Sequence, residues 1–427
     1  MSYRAESTQA AWQNALISSQ AKAVELFSRS EERQKELGYF HTLQEICQQP
    51  WTWLRTCERM VASRKLLQES VADVRCIAFT GSGSSLFAGH GVCLPVQFEL
   101  GISVESIAGG DLLTQGVRAL PPWRPGLLVS LSRSGDSPES GGAIKLLLDA
   151  DRQYRHLVLT CNEQGSLAKD WNGHGQVSVI TLPPETNDQS LVMTSSFTNL
   201  LLAARILGML GRPSEYLKLC GRLSAVVQEL ILHHFDAIAG IASTDFQRAV
   251  FLGTGTRYAA AREATLKMLE MTSGRVTTMC ETYLGLRHGP MSFVHDDTLI
   301  VAHLSSEASA RAYEVDLLKE LDRKRLGLRK LLIGNHVPKE VVRNGDVLVT
   351  SSGSLKLRDD DLAIAYVVVG QLLAFFRCLR EGLQPDSPSE SGVIQRVVEN
   401  FPLHTSRSES AIRQMRSIPN RETLSPG

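Results

Sequence analysis

From Arg75 onward the hydrophobic positions of this 427-residue chain fall into short runs separated by turn residues and amphipathic stretches. Cys76 to Phe79, Ser103 to Ile107, Leu127 to Leu131, His156 to Thr160 and Val177 to Leu182 recur roughly 25 residues apart, the spacing of strand–helix units with a buried parallel sheet. Ahead of them the period changes. Ala10 to Phe27 carries apolar positions at helical spacing, and Thr42-Leu43-Gln44-Glu45 is a capping-box pattern that opens a second helix before Pro50. A third helix is expected from Trp51 to Gln68. Such stripes predict packing against a neighbouring domain, with independent binding helices as the alternative.

The second half then repeats the first. Ala249-Val250-Phe251-Leu252-Gly253-Thr254-Gly255-Thr256 matches Ile77-Ala78-Phe79-Thr80-Gly81-Ser82-Gly83-Ser84 at an offset of 172. Leu299-Ile300-Val301 matches Leu127-Leu128-Val129 at the same offset, and Leu331 to Asn335 echoes Val158 to Asn162 one residue later. Strand cores recurring in register indicate two copies of one α/β fold. The apolar helices starting near Leu191 and Leu362 are counterparts. The expected organisation is an N-terminal helical segment (1–70), a first doubly wound parallel-sheet domain (71–211), a helical linker (212–242), a second such domain (243–384) and a C-terminal tail (385–427). The polar stretch from His404 is expected to be disordered.

Charge adds an exclusion. Lys plus Arg and Asp plus Glu are both 45, so nothing argues for nucleic acid or a membrane, and the partner expected is a small molecule or another protein. No uninterrupted apolar stretch of about 18 residues occurs. The eight cysteines are scattered, with no C-x-x-C pair and none near a His at metal spacing. They read as reduced core thiols of a cytoplasmic protein with no metal and no cofactor.

The candidate chemistry sits in two Ser/Gly loops that follow the first and third runs, Gly81-Ser82-Gly83-Ser84-Ser85 and Leu131-Ser132-Arg133-Ser134-Gly135-Asp136-Ser137. A hydroxyl-rich turn between a buried strand and a helix N-terminus offers free backbone N–H groups and a favourable dipole to an anion. An ordinary capped strand-to-helix loop is the plain alternative. The second copy has Leu304-Ser305-Ser306-Glu307 at the corresponding place, so the cradle is intact only in the first. It supplies instead Glu263, Lys267 and Glu270 at i, i+4 and i+7 of one helix face, and His288 beside a Gly-Pro turn. For Glu263 and Lys267 the alternative is an exposed ion pair.

With these motifs in view, the sequence resembles the tandem sugar isomerase (SIS) domain proteins from about Ile77 to Arg380. Met193-Thr194-Ser195-Ser196-Phe197-Thr198, Glu281 to Pro290 and His41 to Trp53 look most like its galactosamine-6-phosphate deaminase/isomerase branch, formerly called tagatose-6-phosphate ketose/aldose isomerase. The resemblance implies two flavodoxin-like SIS domains and conversion of D-galactosamine 6-phosphate to D-tagatose 6-phosphate and ammonia. It also implies a homodimer with active sites shared between subunits. By similarity to the isomerase half of glucosamine-6-phosphate synthase, Gly83, Ser84, Ser85, Ser132, Arg133, Ser134 and Ser137 would hold the sugar phosphate and nearby hydroxyls, with Thr194 or a neighbour lining the site. Glu270 would transfer the proton and Lys267 would be an active-site lysine, with Glu263 beside it. His288 would open the sugar ring from the neighbouring subunit. The C-terminal lysine of that relative has no counterpart in Pro385 to Ser391. Isomerisation without deamination, and a non-catalytic sugar-phosphate-binding regulator, are the alternatives.

Overall fold

Five helices precede the first strand in the computed structural model, which describes residues 2–353 and 357–404. They are α1 (Ser2–Ser19), α2 (Ala21–Phe27), α3 (Glu31–Glu36), α4 (Phe40–Ala62) and α5 (Arg64–Val71). Pro50 does not divide the segment as expected, because α4 runs through it. Proline leaves the carbonyl four residues back without its helical donor. Here Gln49 Nε2 donates to the Ile46 carbonyl at 3.0 Å and replaces the missing bond. The helix opens at Phe40, two residues ahead of the expected cap, so Thr42 and Glu45 lie buried within its first two turns, and the helix expected from Trp51 to Gln68 is shared between α4 and α5.

The five apolar runs become β1 (Cys76–Gly81), β2 (Ser103–Ala108), β3 (Gly126–Ser132), β4 (Tyr154–Thr160) and β5 (Val177–Thr181). Between and after them lie α6 (Ser84–Leu100), α7 (Gly109–Gln115), α8 (Pro138–Ala150), α9 (Ser166–Trp171) and α10 (Ser195–Arg205). After the long α11 (Pro213–Ala242), the second half forms β6 (Arg248–Leu252), β7 (Thr277–Glu281), β8 (Thr298–His303), β9 (Arg329–Ile333) and β10 (Val347–Val349). Its helices are α12 (Thr256–Met271), α13 (Tyr283–Leu286), α14 (Ala308–Arg323) and α15 (Asp359–Arg380). The sheets are parallel with orders β2-β1-β3-β4-β5 and β10-β9-β8-β6-β7, which is one winding used twice. Central strands β1 and β3 are buried at every position, whereas edge strand β2 is not, as parallel sheets covered on both faces require.

Helices α6 and α10 of the first half pack on α12 and α15 of the second, and one apolar cluster runs through both halves. The approach of α15 to α12 is tight: a Cβ on Gly370 would stand 2.4 Å from that of Ala264. Two helices, α11 and α15, are long and apolar enough to cross a membrane by composition, but the apolar window of α15 is 94% buried inside the protein, as suits a core helix. One expectation about the cysteines is corrected. Cys57 on α4 and Cys220 on α11 are joined as a disulfide, so the reduced thiol expected of all eight applies to six. The two helices lie side by side with both side chains in their shared seam, and the 163-residue separation hides this pairing from spacing rules. The disorder expected beyond His404 concerns residues outside those described.

Candidate active site

Strands β1 and β3 are neighbours whose helices leave in different directions, and their carboxyl ends open at a topological switch point, where such sheets bind ligands. The loop after β1 depends on glycine. Gly81 lets the chain pass, since a Cβ there would meet that of Ser85 at 2.6 Å, and Gly83 turns it with φ 57° into α6. The loop after β3 is held by its own hydroxyls: Gly135 N–H donates to Ser132 Oγ at 2.9 Å and Asp136 N–H to Ser134 Oγ at 3.3 Å. Asp136 is in turn fixed by the backbone N–H and hydroxyl of Ser166, at 2.8 and 3.0 Å.

Between these loops lies a cavity of about 450 Å³ that contains Gly83, Ser84, Ser85, Ser132, Arg133, Ser134, Ser137 and Glu270 in its walls. The N-termini of α6 and α8 face it, so backbone donors and dipoles add to the hydroxyls. Eight of the twelve residues singled out in the sequence thus meet in one place, from both halves of the chain.

Lys267 and Glu263 sit directly behind this wall with no exposed surface, which removes the reading of an exposed ion pair. Lys267 Nζ stands 2.5 Å from Glu270 Oε2, 3.3 Å from Glu263 Oε1 and 3.1 Å from Ser84 Oγ. Ser84 Oγ also donates to Glu263 Oε1 at 3.0 Å, so a buried network joins α6 to α12. Burial pushes the Glu263 carboxyl up to about 7, with Glu270 reinforcing this and Lys267 and Ser84 opposing it. Burial works against a charged Lys267, but the two carboxylates outweigh it and raise its pKa.

One residue lies differently from what the sequence suggested, and Thr194 and His288 stand outside the cavity of their own chain. Arg133 does not turn its donors to the cavity: its guanidinium bonds the carbonyls of Ser190 (3.2 Å), Leu191 (2.9 Å) and Arg396. It is a buried cation that fastens the segment at Ser190 and Leu191 to the C-terminal segment at Arg396. Thr194 is fully buried behind Met193, its N–H bound to Asp188 Oδ2 at 2.8 Å, and it is Met193 that reaches the cavity. His288 is exposed on the turn after α13 and is not in the cavity wall of its own chain.

Other contributors went unseen. Val393, Ile394, Gln395, Arg396, Val398 and Glu399 lay the C-terminal segment across the cavity. Arg396 anchors it through the Asp188 carbonyl at 2.8 Å and Asn187 Oδ1 at 2.6 Å. Asp188 is itself held by Thr194 and Ser196, and Glu45 of α4 accepts from Ser190 and Gln189. The Asp188-x5-Thr-x-Ser spacing was a local signal for the first of these; nothing local marks the rest.

No family model matches the chain. Among curated proteins it is 32% identical to the D-galactosamine-6-phosphate deaminase of Escherichia coli, covering 85% of this chain and 95% of that one. It is also 32% identical to the D-galactosamine-6-phosphate deaminase of a Shewanella species, covering 88% and 94%. Among solved structures, the tagatose-6-phosphate ketose/aldose isomerase of Escherichia coli superposes with a TM-score of 0.78 at 29% identity, over 86% of this chain and 96% of that one.

Proposed function

The chain belongs to the D-galactosamine-6-phosphate deaminase family of tandem SIS proteins, and from that premise we propose that it deaminates and isomerises D-galactosamine 6-phosphate to D-tagatose 6-phosphate and ammonia. The observation that carries this reading is the arrival of the Glu270 carboxylate, from the second half, in the cavity formed by the serine loops of the first.

The serine hydroxyls and helix N-termini take the phosphate, which leaves the sugar carbons free to extend toward α12. In the open-chain sugar, Glu270 removes the C2 proton while the aldehyde oxygen at C1 takes up a proton, giving an enolamine. Return of a proton to C1 leaves an imine at C2, and water replaces the nitrogen to give the ketose and ammonia. Such proton transfer by a positioned carboxylate typically contributes about 10²–10⁴-fold. Lys267, bound to Glu270 and to Ser84, holds the carboxylate in place. Ring opening calls for a group that both donates and accepts near neutrality, which suits an imidazole.

Purified protein incubated with galactosamine 6-phosphate should release ammonia and ketose phosphate in equal amounts. Ketose without ammonia would indicate isomerisation alone, and no turnover of any hexosamine or hexose phosphate would overturn the enzymatic reading. We further propose a homodimer in which His288 reaches the partner's cavity, which accounts for its exposed position in a single chain. Mixed Glu270→Gln and His288→Ala chains, each inactive alone, should then recover about a quarter of wild-type activity by statistical pairing. Failure to recover any activity despite subunit exchange would refute the shared site. A cytoplasmic location goes with this reading.

A further inference from the structure

The loop ends of the second sheet repeat the architecture of the active cavity, but they are already filled. At the offset of 172, Gly83 and Ser84 correspond to Gly255 and Thr256, and Arg133 and Ser134 to Ser305 and Ser306. Gly255 turns with φ 61° where Gly83 has 57°, and Gly253 makes a close approach to Arg257 like that of Gly81 to Ser85.

Between these loops stands the side chain of Asp359, the first residue of α15. Its Oδ1 accepts the Ser306 N–H at 3.0 Å and the Ser306 hydroxyl at 2.7 Å. Its Oδ2 accepts the Ser305 hydroxyl at 2.5 Å, the Ser306 N–H at 3.2 Å and the guanidinium of Arg257. Two hydroxyls, a backbone N–H and a buried guanidinium around one carboxylate make the donor set that a phosphate takes. Burial pushes the Asp359 carboxyl up, but Arg257 and the two serines outweigh it and hold it below its ordinary value.

A second observation points to a larger oxyanion than a carboxylate. The Arg257 side chain is 5% exposed and also bonds Glu314 at 3.2 Å, yet its Nε has no hydrogen-bond partner among the described residues. The same arginine faces a cavity of about 260 Å³ whose walls include Gly255, Thr256, Ser305 and Arg358. A carboxylate offers two oxygens, and a phosphate has more to meet the remaining donor.

We propose that the second half holds an oxyanion site whose occupant is the chain's own Asp359 carboxylate, and that inorganic phosphate enters it when that carboxylate is removed. The site is an internally closed counterpart of the active cavity, and its closure leaves each chain one open phosphate cradle. This rests on the geometry of the second half alone and not on the substrate assigned to the first.

The test compares full-length wild type with Asp359→Ala by calorimetric titration with inorganic phosphate at constant ionic strength. The variant should bind one more phosphate per chain than wild type, and phosphate should raise its unfolding temperature more than it raises that of wild type. Should Asp359→Ala not fold, the smaller polar Asp359→Ser, which also vacates the carboxylate position, is titrated in its place and should show the same added site. An unchanged stoichiometry in whichever variant folds overturns the proposal. So does an added site that survives when Arg257→Met is combined with the Asp359 substitution. Because the difference between variant and wild type is read, a failure of the first cavity to bind phosphate would lower both totals equally and be recognised as such.

Discussion

Replacing Glu263 by Gln should flatten part of the pH dependence of stability. The carboxyl is fully buried, with one oxygen on Ser84 and Lys267 and the other, Oε2, without a partner among the described residues. Its pKa is pushed up from an ordinary 4.5 to about 7, first by burial. The folded protein therefore holds this proton more tightly than the unfolded chain. The stability that follows is fully present below pH 4.5 and is lost as pH rises to about 7, because between those values the native state binds more protons. At 1.36 kcal/mol per pKa unit, the shift corresponds to about 3 kcal/mol across that window. An amide of the same shape is neutral throughout and contributes no slope. Urea unfolding of both proteins at intervals between pH 4.5 and 8 should give a difference curve that favours wild type at the acid end and falls by about 3 kcal/mol toward the alkaline end. Parallel curves would show that Glu263 titrates alike in both states, and would refute the buried network as drawn.

Glu270→Gln should lower turnover by about 10²–10⁴-fold while leaving phosphate-ester binding near wild type, as measured by ammonia release and by titration with a non-reactive hexitol phosphate. Full activity would remove the proton-transfer assignment. Ser134→Ala should weaken the same hexitol phosphate by about 1.5–3 kcal/mol, the range for hydrogen bonds to charged groups, and an unchanged Kd would exclude this loop as the anchor. Arg396→Ala removes the bonds to Asp188 and Asn187, so hydrogen exchange in residues 385–404 should accelerate and KM should rise. Unaltered exchange there would show that the segment is held by other contacts.

The two sheets and their duplication were legible in the sequence because parallel central strands must be apolar on both faces, and Ile77 to Thr80 and Ala249 to Leu252 satisfy that locally. The serine loops were legible for the same reason: a hydroxyl-rich turn and its glycine are close in sequence. What escaped depends on distance along the chain. Arg133 looked like an anion ligand because the loop alone does not reveal that the Ser190, Leu191 and Arg396 carbonyls converge on it. Pro50 looked like a helix boundary because its rescue by the Gln49 side chain is a matter of rotamer, not of pattern. The buried state of Lys267 follows from α6 packing on α12, where Ser84 meets it, and a contact between helices so far apart in sequence is not announced by periodicity within α12.

The seam between the halves has a mechanical consequence. Enzymes that clasp their ligands by hinge closure keep a sparse interface between lobes, so that opening costs little. Here a continuous apolar cluster crosses the seam, and the Ser84–Glu263–Lys267 network spans it at the point where a hinge would have to part. Opening the lobes would break this buried network and uncover part of the apolar cluster that holds the two halves together. The most exposed parts of the cavity wall are Ser82 and Gly83 of the first loop and the segment from Val393 to Glu399, where Val393 is 81% exposed. The cavity is thus walled on most sides by the two joined halves and on the remaining side by a short strap of chain that Arg396 fastens to Asn187 and Asp188.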